Sequence, residues 1–477
     1  MVHKIFKEPK YLVAFATILL FATLGLRPIW TMENRWASIV INMLATGDYV
    51  HPYLGQTEYY DKPLLSYWLI IPFAKLLGVN AWSLRLPNAI AGAVSLWAVH
   101  GLAKRFWGAS AALWAAWILL TSLAFLFWAR VASADMLNVA GIIGALWWYE
   151  QHKAHPHFRS YLIFALILVV TALCKGIVAI ACVGLILVPD LCYQQQWKKH
   201  LNLHVLGALI VAGICYFLPF YLSVYMNEGA YQESGLVEVF RENLLRFFQP
   251  FDHKGKWYIY GYYFPLYFFP WILFFIPATY GIMRTWRTQP WPTRWMVLAV
   301  FLLLAFFMLS QSRRSYYILP IIPFAALVIS SWVQHFSATW LKRSTAWCLC
   351  LLFLFYVIFI PVYYANTDVT RLDKDIKRIA TATRPWDQWR MIVWDTKIAD
   401  VMYSLPHGRV WLYKAEETAA IKQALQQQHQ PTIYVMSTDM YVAHQADFSQ
   451  SDVILPAKRI TVSMIDPSMA STKTQGR

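Results

Sequence analysis

Long apolar runs recur along the first 366 residues of the chain, and short polar segments separate them. A helix of about 20 apolar residues is long enough to cross the hydrocarbon core of a bilayer. The pattern therefore predicts about eleven crossing helices, near residues 11–30, 83–103, 109–129, 134–150, 160–174, 177–196, 203–224, 258–283, 295–311, 316–334 and 345–365. The stretch 64–77 is apolar but too short to cross, so we expect it to lie along the membrane surface or to re-enter.

Composition agrees with a polytopic membrane protein and excludes several other classes. Hydrophobic residues make up 58% of the chain and charged residues 14%, whereas soluble domains average about 25% charged residues. Soluble enzymes and disordered scaffolds are therefore excluded. The net charge of +16 is concentrated in the first 366 residues, which suits contact with anionic membrane lipids or with an anionic ligand. No basic run interleaved with polar and aromatic residues lies outside the apolar runs, so we expect no nucleic-acid partner.

The basic residues of the short connections predict the orientation of the chain, because cytoplasmic loops carry an excess of Lys and Arg. Such residues fall in alternate connections: Lys4, Lys7 and Lys10; Lys104 and Arg105; Lys153 and Arg159; Lys198 and Lys199; Arg284, Arg287 and Arg294; Lys342 and Arg343. We therefore expect a cytoplasmic N-terminus. Residues 31–63, 224–257 and 310–315 and the C-terminal tail then lie on the outer side. The first run is too long for a signal peptide and lacks a small-residue cleavage site, so we expect it to remain as a span.

The pattern of apolar residues changes near residue 367, where the long apolar runs end. Short β-like runs at Met391–Trp394, Val410–Tyr413 and Thr432–Met436 alternate with a polar helical pattern at Ala415–Gln428. Strands that alternate with helices indicate an α/β domain. We predict a transmembrane domain at 1–366, with a first outer loop at 31–82, and a small extracytoplasmic α/β domain at 367–477 whose polar last residues are disordered.

Ionisable residues near the membrane are the candidates for function, because charges at membrane depth are costly and rare. They gather in the predicted outer segments: Glu33, Arg35, Asp48, His51, Glu58, Asp61 and Lys62; Arg130 and Asp135; Lys175; Arg241, Glu242, Arg246, His253, Lys254 and Lys256; Arg313 and Arg314. Several cations with a few carboxylates suit a lipid-linked phosphate, since fixed cations stabilise a departing phosphate and a carboxylate can orient an acceptor. Loop salt bridges, such as an ion pair of Asp135 with the nearby Arg130, and head-group contacts explain scattered charges equally well.

The stretch from residue 31 to residue 87 contains four short motifs in order: Glu33-Asn34-Arg35-Trp36-Ala37, Gly47-Asp48-Tyr49, Tyr60-Asp61-Lys62-Pro63 and Arg85-Leu86-Pro87. Later motifs are Ala134-Asp135, Cys174-Lys175-Gly176 and the segment 312–320. This order of motifs resembles that of bacterial polyprenyl-phosphate-dependent glycosyltransferases of the GT-C superfamily. The resemblance is strongest to the lipid A aminoarabinose transferases and their protein-mannosyltransferase relatives. The resemblance covers about residues 10–335. The fold that it implies is an all-α membrane bundle of about 11–13 transmembrane helices with the small α/β domain attached.

The resemblance assigns roles to residues of this chain. It implies that Lys62 binds the donor phosphate, and it adds weight to Lys175 as a further phosphate ligand. Arg35, Arg246 and Arg313 are cations that suit the same phosphate, with head-group anchoring or solvation as the alternative. The carboxylate that serves the acceptor is Glu33, Asp135 or Asp61.

One position departs from the family pattern. The acidic pair of the family is usually Asp-Glu, and here Met32 stands in the first place. Either Glu33 takes over, or the acceptor needs no strong base because it is itself an anionic phosphate, or Asp61 or Asp135 supplies the carboxylate. An inactive member is the remaining alternative.

The resemblance implies an enzyme that moves a sugar from undecaprenyl phosphate to lipid A or another lipopolysaccharide component, on the outer face of a bacterial inner membrane. The sugar is 4-amino-4-deoxy-L-arabinose or another hexose or pentose. The alternatives are a protein O-mannosyltransferase-like enzyme, a transporter or flippase of lipid-linked sugars, and a silent subunit. No cofactor is implied with certainty. A divalent metal held by Glu58 or Asp61 together with His253 stays an open alternative.

Overall fold

The computed structural model of the chain describes residues 8–29, 31–54, 57–195, 197–226, 237, 241, 255–333, 339–365, 368–396, 410–413, 415–427, 430–456 and 460–467. The polar tail from residue 468 that we expected to be disordered lies outside these ranges, so this expectation stays a prediction.

Helices dominate the described part of the chain up to residue 365. In chain order they are α1 Pro9–Phe21, α2 Thr31–Thr46, α3 Leu65–Trp68, α4 Ile71–Leu77, α5 Ala81–Trp107, α6 Ala109–Leu120, α7 Leu123–Trp128, α8 Asp135–His152, α9 Phe158–Lys175, α10 Val178–Gln194, α11 Leu203–Tyr225, α12 Ile259–Tyr267, α13 Ile272–Arg284, α14 Trp291–Leu309, α15 Ile321–Val333, α16 Thr339–Phe353 and α17 Ile360–Ala365. A short β-hairpin, β1 Tyr53–Leu54 and β2 Thr57–Glu58, follows α2.

Within the described residues, five continuous helical stretches are long and apolar enough to cross a membrane: α5, α9, α11, α14 and the stretch Lys342–Ala365. The bent pair α12–α13 makes a sixth crossing if it counts as one span. Shorter apolar helices include α1, α6, α10, α15 and the segment Leu65–Leu77. The last of these consists of α3 and α4, in agreement with the prediction that residues 64–77 do not form a full span.

The contacts divide the chain into two units. The first unit consists of Met1–Ala22, Tyr60–Ser66 and Pro87–Tyr356. The second consists of Thr23–Tyr59, Tyr67–Leu86 and Val357–Arg477. The second unit thus combines most of the predicted first outer loop with the C-terminal tail, and the boundary that we expected at residue 367 stays a prediction.

In the first unit, α15 is the central helix. Nearly all of its residues are buried, and it packs against α6, α13 and α14. The hairpin of α8 and α9 is connected to it through other helices: α9 contacts α8 and α11, α10 contacts α8 and α14, and α14 contacts α15. A helix that is apolar all round is suited to a position inside such a bundle.

Two runs that the sequence predicts as single spans are broken. The run 109–129 divides into α6 and α7, and the run 258–283 divides into α12 and α13, which are bent by 108°. The breaks meet: the Leu123 backbone N–H donates to Phe269 O at 3.1 Å, and Trp271 Nε1 donates to Thr121 Oγ1 at 2.9 Å. Irregular backbone at membrane depth is tolerated where the protein itself satisfies the polar groups, so each break stabilises the other.

Arg130 holds the end of the first helix in the first unit. Its guanidinium donates to Leu19 O at 2.6 Å and to Ala22 O at 2.8 Å, where α1 ends. Carbonyls at a helix C-terminus lack helical partners, and a cation is favourable there. Arg130 also lies 4.6 Å from the centre of the Tyr356 ring.

The C-terminal part of the second unit contains a five-stranded sheet with strand order β4-β3-β5-β7-β6. Its elements are α18 Asp368–Thr383, β3 Arg390–Trp394, β4 Val410–Tyr413, α19 Thr418–Gln426, β5 Thr432–Ser437, α20 Thr438–Ala443, β6 Val453–Pro456 and β7 Ile460–Ile465. The three strands and the helix that the sequence predicts are confirmed, and β3 pairs in parallel with both β4 and β5. Within this unit, α2 packs against β4.

We expect Thr121→Val to lower the free energy of unfolding by about 1–3 kcal/mol, because it leaves the buried Trp271 indole N–H without its acceptor. The measurement is thermal unfolding of the detergent-solubilised full chain. Thr381→Val is the matched control, since the Thr381 hydroxyl bonds Lys377 O on an exposed helix face. Equal melting temperatures for the two variants would contradict the account of the paired breaks.

Candidate active site

An ion pair joins the ends of two neighbouring helices in the first unit. Asp135 is the first residue of α8 and Lys175 is the last residue of α9. Lys175 Nζ lies 2.5 Å from Asp135 Oδ1, and the two side chains are 10% and 4% exposed. Away from water, opposite charges attract strongly and a lone charge is costly. The pair therefore fixes an ammonium group at one end of the bundle.

The helix ends favour each charge of this pair. A helix carries partial positive charge at its N-terminus and partial negative charge at its C-terminus, so Asp135 and Lys175 each gain about 0.3–1 kcal/mol. Gly176 ends α9 with φ 111° and donates its N–H to Ala172 O at 2.7 Å. This left-handed backbone favours glycine. The Cys174-Lys175-Gly176 motif thus directs the lysine to its position.

Two tyrosines enclose the Lys175 ammonium. Nζ lies 5.2 Å from the centre of the Tyr317 ring and 6.0 Å from that of Tyr316. Tyr316 in turn packs on Trp128, with ring centres 4.8 Å apart. Aromatic faces attract cations at these distances. The ammonium therefore lies between one carboxylate and two aromatic rings.

Arg313 precedes these tyrosines and carries a charge that its described contacts do not neutralise. Nη1 donates to Gly255 O at 2.5 Å and Nη2 donates to Met308 O at 2.9 Å. Both acceptors are neutral carbonyls, and Nε is buried with no hydrogen-bond partner among the described residues. A guanidinium in this state is suited to bind an anion.

Asp61 and Lys62 form a second, more accessible pair in the first unit. Lys62 Nζ donates to Asp61 Oδ1 at 2.7 Å and to Asp61 O at 3.0 Å. The Lys62 side chain is 21% exposed and that of Asp61 is 19% exposed. The preceding Tyr60 is buried and packs on Phe220. The anchored tyrosine and Pro63 thus hold a lysine that still reaches solvent.

Glu33 is engaged by arginines in the second unit. Arg85 makes a two-pronged contact with it, Nε to Oε1 at 2.6 Å and Nη2 to Oε2 at 2.7 Å, and Arg27 Nη2 lies 3.2 Å from Oε2. Both Glu33 and Arg85 are 1% exposed. Arg85 also donates to the carbonyls of Leu24, Arg27 and Pro28. This network ties α2 to α5 and to the segment before α2.

The Gly47-Asp48-Tyr49 motif forms a turn in the second unit. Gly47 has φ 76°, and Asp48 Oδ1 accepts from the backbone N–H groups of Val50 and His51 at 3.0 and 3.1 Å. Asp48 Oδ2 lies 2.7 Å from Nδ1 of the buried His51. Aspartate commonly closes turns of this kind. The motif therefore fixes the backbone of the turn that follows α2 in the first outer segment.

Arg35, another predicted phosphate ligand, lies in the second unit on α2. Its guanidinium is 5.3 Å from the centre of the Tyr59 ring and 5.9 Å from that of Trp36. Stacking on aromatic rings is common for arginine. Its role as a phosphate ligand stays a prediction.

Several predicted residues fall outside the described residues. These are Glu242, Arg246, His253 and Lys254, and nothing is described of the Glu58 side chain. The metal site considered from Glu58 or Asp61 with His253 is therefore not tested. Among the described residues, no group of three or more His, Cys, Asp or Glu side chains could hold a metal ion.

The structure brings Asp135 and Lys175 together, and it joins Asp61 to its neighbour Lys62. It assigns Asp135 a partner different from Arg130, the neighbour that sequence position suggests, because Arg130 caps α1. Sequence reasoning missed Arg85, although the Arg85-Leu86-Pro87 motif marks it, and it missed the contact of Tyr316 and Tyr317 with Lys175. Only their position beside the Arg313-Arg314 pair pointed to these tyrosines.

Comparison with known proteins supports the same family. Residues 61–222 match the family described as dolichyl-phosphate-mannose-protein mannosyltransferase. The undecaprenyl phosphate-α-4-amino-4-deoxy-L-arabinose arabinosyl transferase of Pseudomonas paraeruginosa (strain DSM 24068 / PA7) is 27% identical over 322 residues, which cover 64% of this chain and 55% of that protein. The enzyme named undecaprenyl phosphate-α-4-amino-4-deoxy-L-arabinose arabinosyl transferase 1, from Pseudomonas fluorescens (strain Pf0-1), is 25% identical. The match covers 71% of this chain and 61% of that protein. The match thus spans a little over half the length of these relatives.

Solved structures agree with the fold. The crystal structure of ArnT from Cupriavidus metallidurans bound to undecaprenyl phosphate superposes with a TM-score of 0.73 at 19% identity, over 97% of this chain and 98% of that one. Its apo state gives a TM-score of 0.67. The predicted GT-C-like membrane fold and the resemblance to the aminoarabinose transferases are confirmed. The chain is a multi-pass membrane protein.

We expect Glu33→Gln to destabilise the fold by about 3–5 kcal/mol, because it leaves the buried Arg85 without its counter-charge. Thermal unfolding of the full chain measures this effect. Asp375→Asn is the matched control, since Asp375 pairs with Arg378 on an exposed face where side chains are 47% and 77% exposed. A Glu33→Gln protein that melts normally but lacks activity would show that Glu33 acts as a catalytic residue instead.

Proposed function

We propose that this chain is a glycosyltransferase that moves 4-amino-4-deoxy-L-arabinose from undecaprenyl phosphate to lipid A, on the outer face of a bacterial inner membrane. The names of its relatives, arabinosyl transferases that use an undecaprenyl phosphate sugar, support the donor and the sugar. A structural neighbour with undecaprenyl phosphate bound supports the lipid carrier. Lipid A as acceptor follows from the resemblance of the first outer segment.

The observation that carries the proposal is the enclosed cation Lys175. Its ammonium is held by Asp135 and two tyrosine rings, and Arg313 stands in the same tyrosine segment with a charge that its described contacts do not neutralise. Preorganised cations stabilise developing negative charge better than mobile water does. A lipid phosphate that leaves a sugar develops that charge. Lys62 is a further proposed ligand of this phosphate, and the roles of Arg35 and Arg246 as phosphate ligands stay predictions from the sequence.

In the proposed reaction, an oxygen of the acceptor attacks the anomeric carbon of the donor sugar and forms the new glycosidic bond. The bond between that carbon and the oxygen of undecaprenyl phosphate breaks, and both electrons leave with the phosphate. Lys62, Lys175 and Arg313 stabilise this leaving group. Attack from the face opposite to the leaving phosphate inverts the anomeric centre, as the resemblance implies.

The state of the carboxylates favours a phosphate as acceptor. Asp135 is bound to Lys175, Glu33 to Arg85 and Asp61 to Lys62, and Met32 takes the place of the usual acid. A phosphate monoester has a second pKa near 6, so it is already a nucleophilic anion at pH 7. Such an acceptor needs no protein base. Asp135 and Asp61 then orient the lysines, and Glu33 positions α2.

Protein O-mannosyl transfer is the second candidate, and the family matched by residues 61–222 supports it. A Ser or Thr hydroxyl must lose its proton during attack, which calls for a carboxylate or similar base. The ion-paired state of Asp135, Asp61 and Glu33 makes this candidate the weaker one. A transporter of lipid-linked sugars would need no bond-breaking machinery and would leave lipid A unchanged.

We further propose that the N-terminus is cytoplasmic and that residues 367–477 form an extracytoplasmic domain. The ends of the helices in the first unit support this orientation. Lys153 contacts Trp295 near the start of α14, whereas Lys175 contacts Tyr317 beyond the end of α14. The basic connection at Lys153 and the Asp135–Lys175 pair therefore lie at opposite ends of this bundle, which agrees with the positive-inside rule.

We expect Lys62→Ala to lower the rate of sugar transfer by about 100-fold, as expected for the loss of one group that stabilises developing charge. The assay uses the purified full chain in liposomes with undecaprenyl-phosphate aminoarabinose and lipid A, and the mass of lipid A is the readout. Lys104→Ala is the matched control, because Lys104 is an exposed lysine near the end of α5. Transfer at the wild-type rate by a folded Lys62→Ala protein would remove Lys62 from the site.

The orientation predicts which cysteines an impermeant maleimide reaches in spheroplasts. A variant that keeps only the exposed Cys192, near the Lys198 connection, should label only after the membrane is opened. The same background with Cys192 replaced and with Ser449→Cys, an exposed position in the C-terminal domain, should label in intact spheroplasts. The reverse pattern would invert the proposed topology.

A further inference from the structure

A cavity of about 200 Å³ lies in the first unit, at the end of the bundle opposite to the Asp135–Lys175 pair. Residues of α8, α9, α10 and α11 and of the turn at Trp197–His200 form its walls. The two ends are far apart, because the 18 residues of α8 rise roughly 27 Å from Asp135 to His152. The cavity is therefore separate from the candidate active site.

The walls of this cavity are largely apolar. They include Phe164, Ala165, Leu187, Val205, Ala208 and Leu209. Leu209 is also 58% exposed on α11, a helix whose apolar window is only 22% buried. The cavity thus reaches the surface that faces lipid, and a hydrocarbon chain can enter it sideways from the bilayer. Its volume is below the roughly 300–1,000 Å³ of small-molecule sites, which suits part of one chain.

The rim of the cavity holds a hydrogen-bond donor in a fixed orientation. The Tyr161 hydroxyl lies 3.0 Å from His200 Nδ1, and Asn202 Nδ2 lies 3.4 Å from the same hydroxyl. The hydroxyl can thus accept from Asn202 and donate to Nδ1, which leaves the ring proton on Nε2 of His200. Burial, and then the neighbouring Lys199, lower the pKa of His200, so the ring donates in its neutral form near pH 7.

Two buried carboxylates beside the cavity would repel an anion if they were uncompensated, but both are neutralised. Lys153 Nζ lies 2.5 Å from Glu150 and 3.1 Å from Asp190, and Arg105 lies 3.3 Å from Glu150. Asp190 also accepts from Tyr149 at 3.1 Å, from Trp291 at 2.7 Å and from Gln194 at 2.8 Å. The exposed Lys198 and Lys199 lie in the same turn as His200 and add positive charge near the cavity.

We propose that this cavity binds one acyl chain of an anionic phospholipid, whose phosphate is held at the rim by His200 and the Lys198–Lys199 turn. The apolar depth excludes inorganic phosphate alone as the occupant, and the two lysines favour an anionic head group over a zwitterionic one. The site belongs to the leaflet at the basic end of the bundle. It does not depend on the proposed transfer reaction.

Native mass spectrometry of the detergent-solubilised full chain tests this proposal, with dioleoyl phosphatidylglycerol and dioleoyl phosphatidylcholine as probes. We expect the wild-type chain to retain one phosphatidylglycerol at least about tenfold more strongly than phosphatidylcholine, since each lysine near an anionic head group contributes on the order of 1 kcal/mol, a fivefold change in affinity. Millimolar inorganic phosphate should not displace the lipid.

Two variants distinguish the parts of the site. Ala208→Phe fills the apolar depth and should abolish retention of both lipids. Lys198→Glu with Lys199→Glu changes only exposed side chains, so it should fold normally and lose the preference for phosphatidylglycerol. Arg287→Glu is the matched control, because Arg287 is an exposed cation in another basic connection. Equal retention of the two lipids by the wild-type chain, an unchanged preference in the double lysine variant, or displacement by inorganic phosphate would each overturn the proposal.

Discussion

Polar groups among apolar helices are costly unless they have partners within the protein, and much of the structure follows from that constraint. The backbone freed at the break between α6 and α7 is satisfied by the break between α12 and α13. The carbonyls at the end of α1 are satisfied by Arg130. Glu33 and Arg85 neutralise each other, and Asp135 holds the Lys175 ammonium in place. Hydrocarbon offers no substitute for any of these partners.

The same constraint separates structural charges from those available to a substrate. A charge with a complete set of partners stabilises the fold, as the Glu33–Arg85 network does. Lys62 stays partly exposed, and Arg313 meets only neutral carbonyls among its described contacts. The positive charge of these two groups can therefore still bind a phosphate. In the proposed reaction, a site of fixed cations with occupied carboxylates is suited to an anionic nucleophile, and such an acceptor needs no acid at the position of Met32.

Local patterns in the sequence predicted the apolar helices, the strands β3, β4 and β5 and the motifs of the first outer segment. They could not predict where two spans break, because hydropathy does not report hydrogen bonds between distant segments. The ion-pair partners could not be predicted either, because they are far apart in the sequence. Glu33 and Arg85 are separated by 52 positions, and Asp135 and Lys175 by 40. Sequence position suggested Arg130 as the neighbour of Asp135, whereas helix packing brings Lys175 to it.

Mass spectrometry of lipid A from cells with and without the gene tests the central claim most directly. The account predicts that lipid A from cells with the gene contains a species heavier by one aminoarabinose residue, and that this species is absent without the gene. A plasmid copy carrying Lys104→Ala should restore it. Identical lipid A spectra in the two strains, under conditions where the protein is present in the membrane, would contradict the proposed acceptor and sugar.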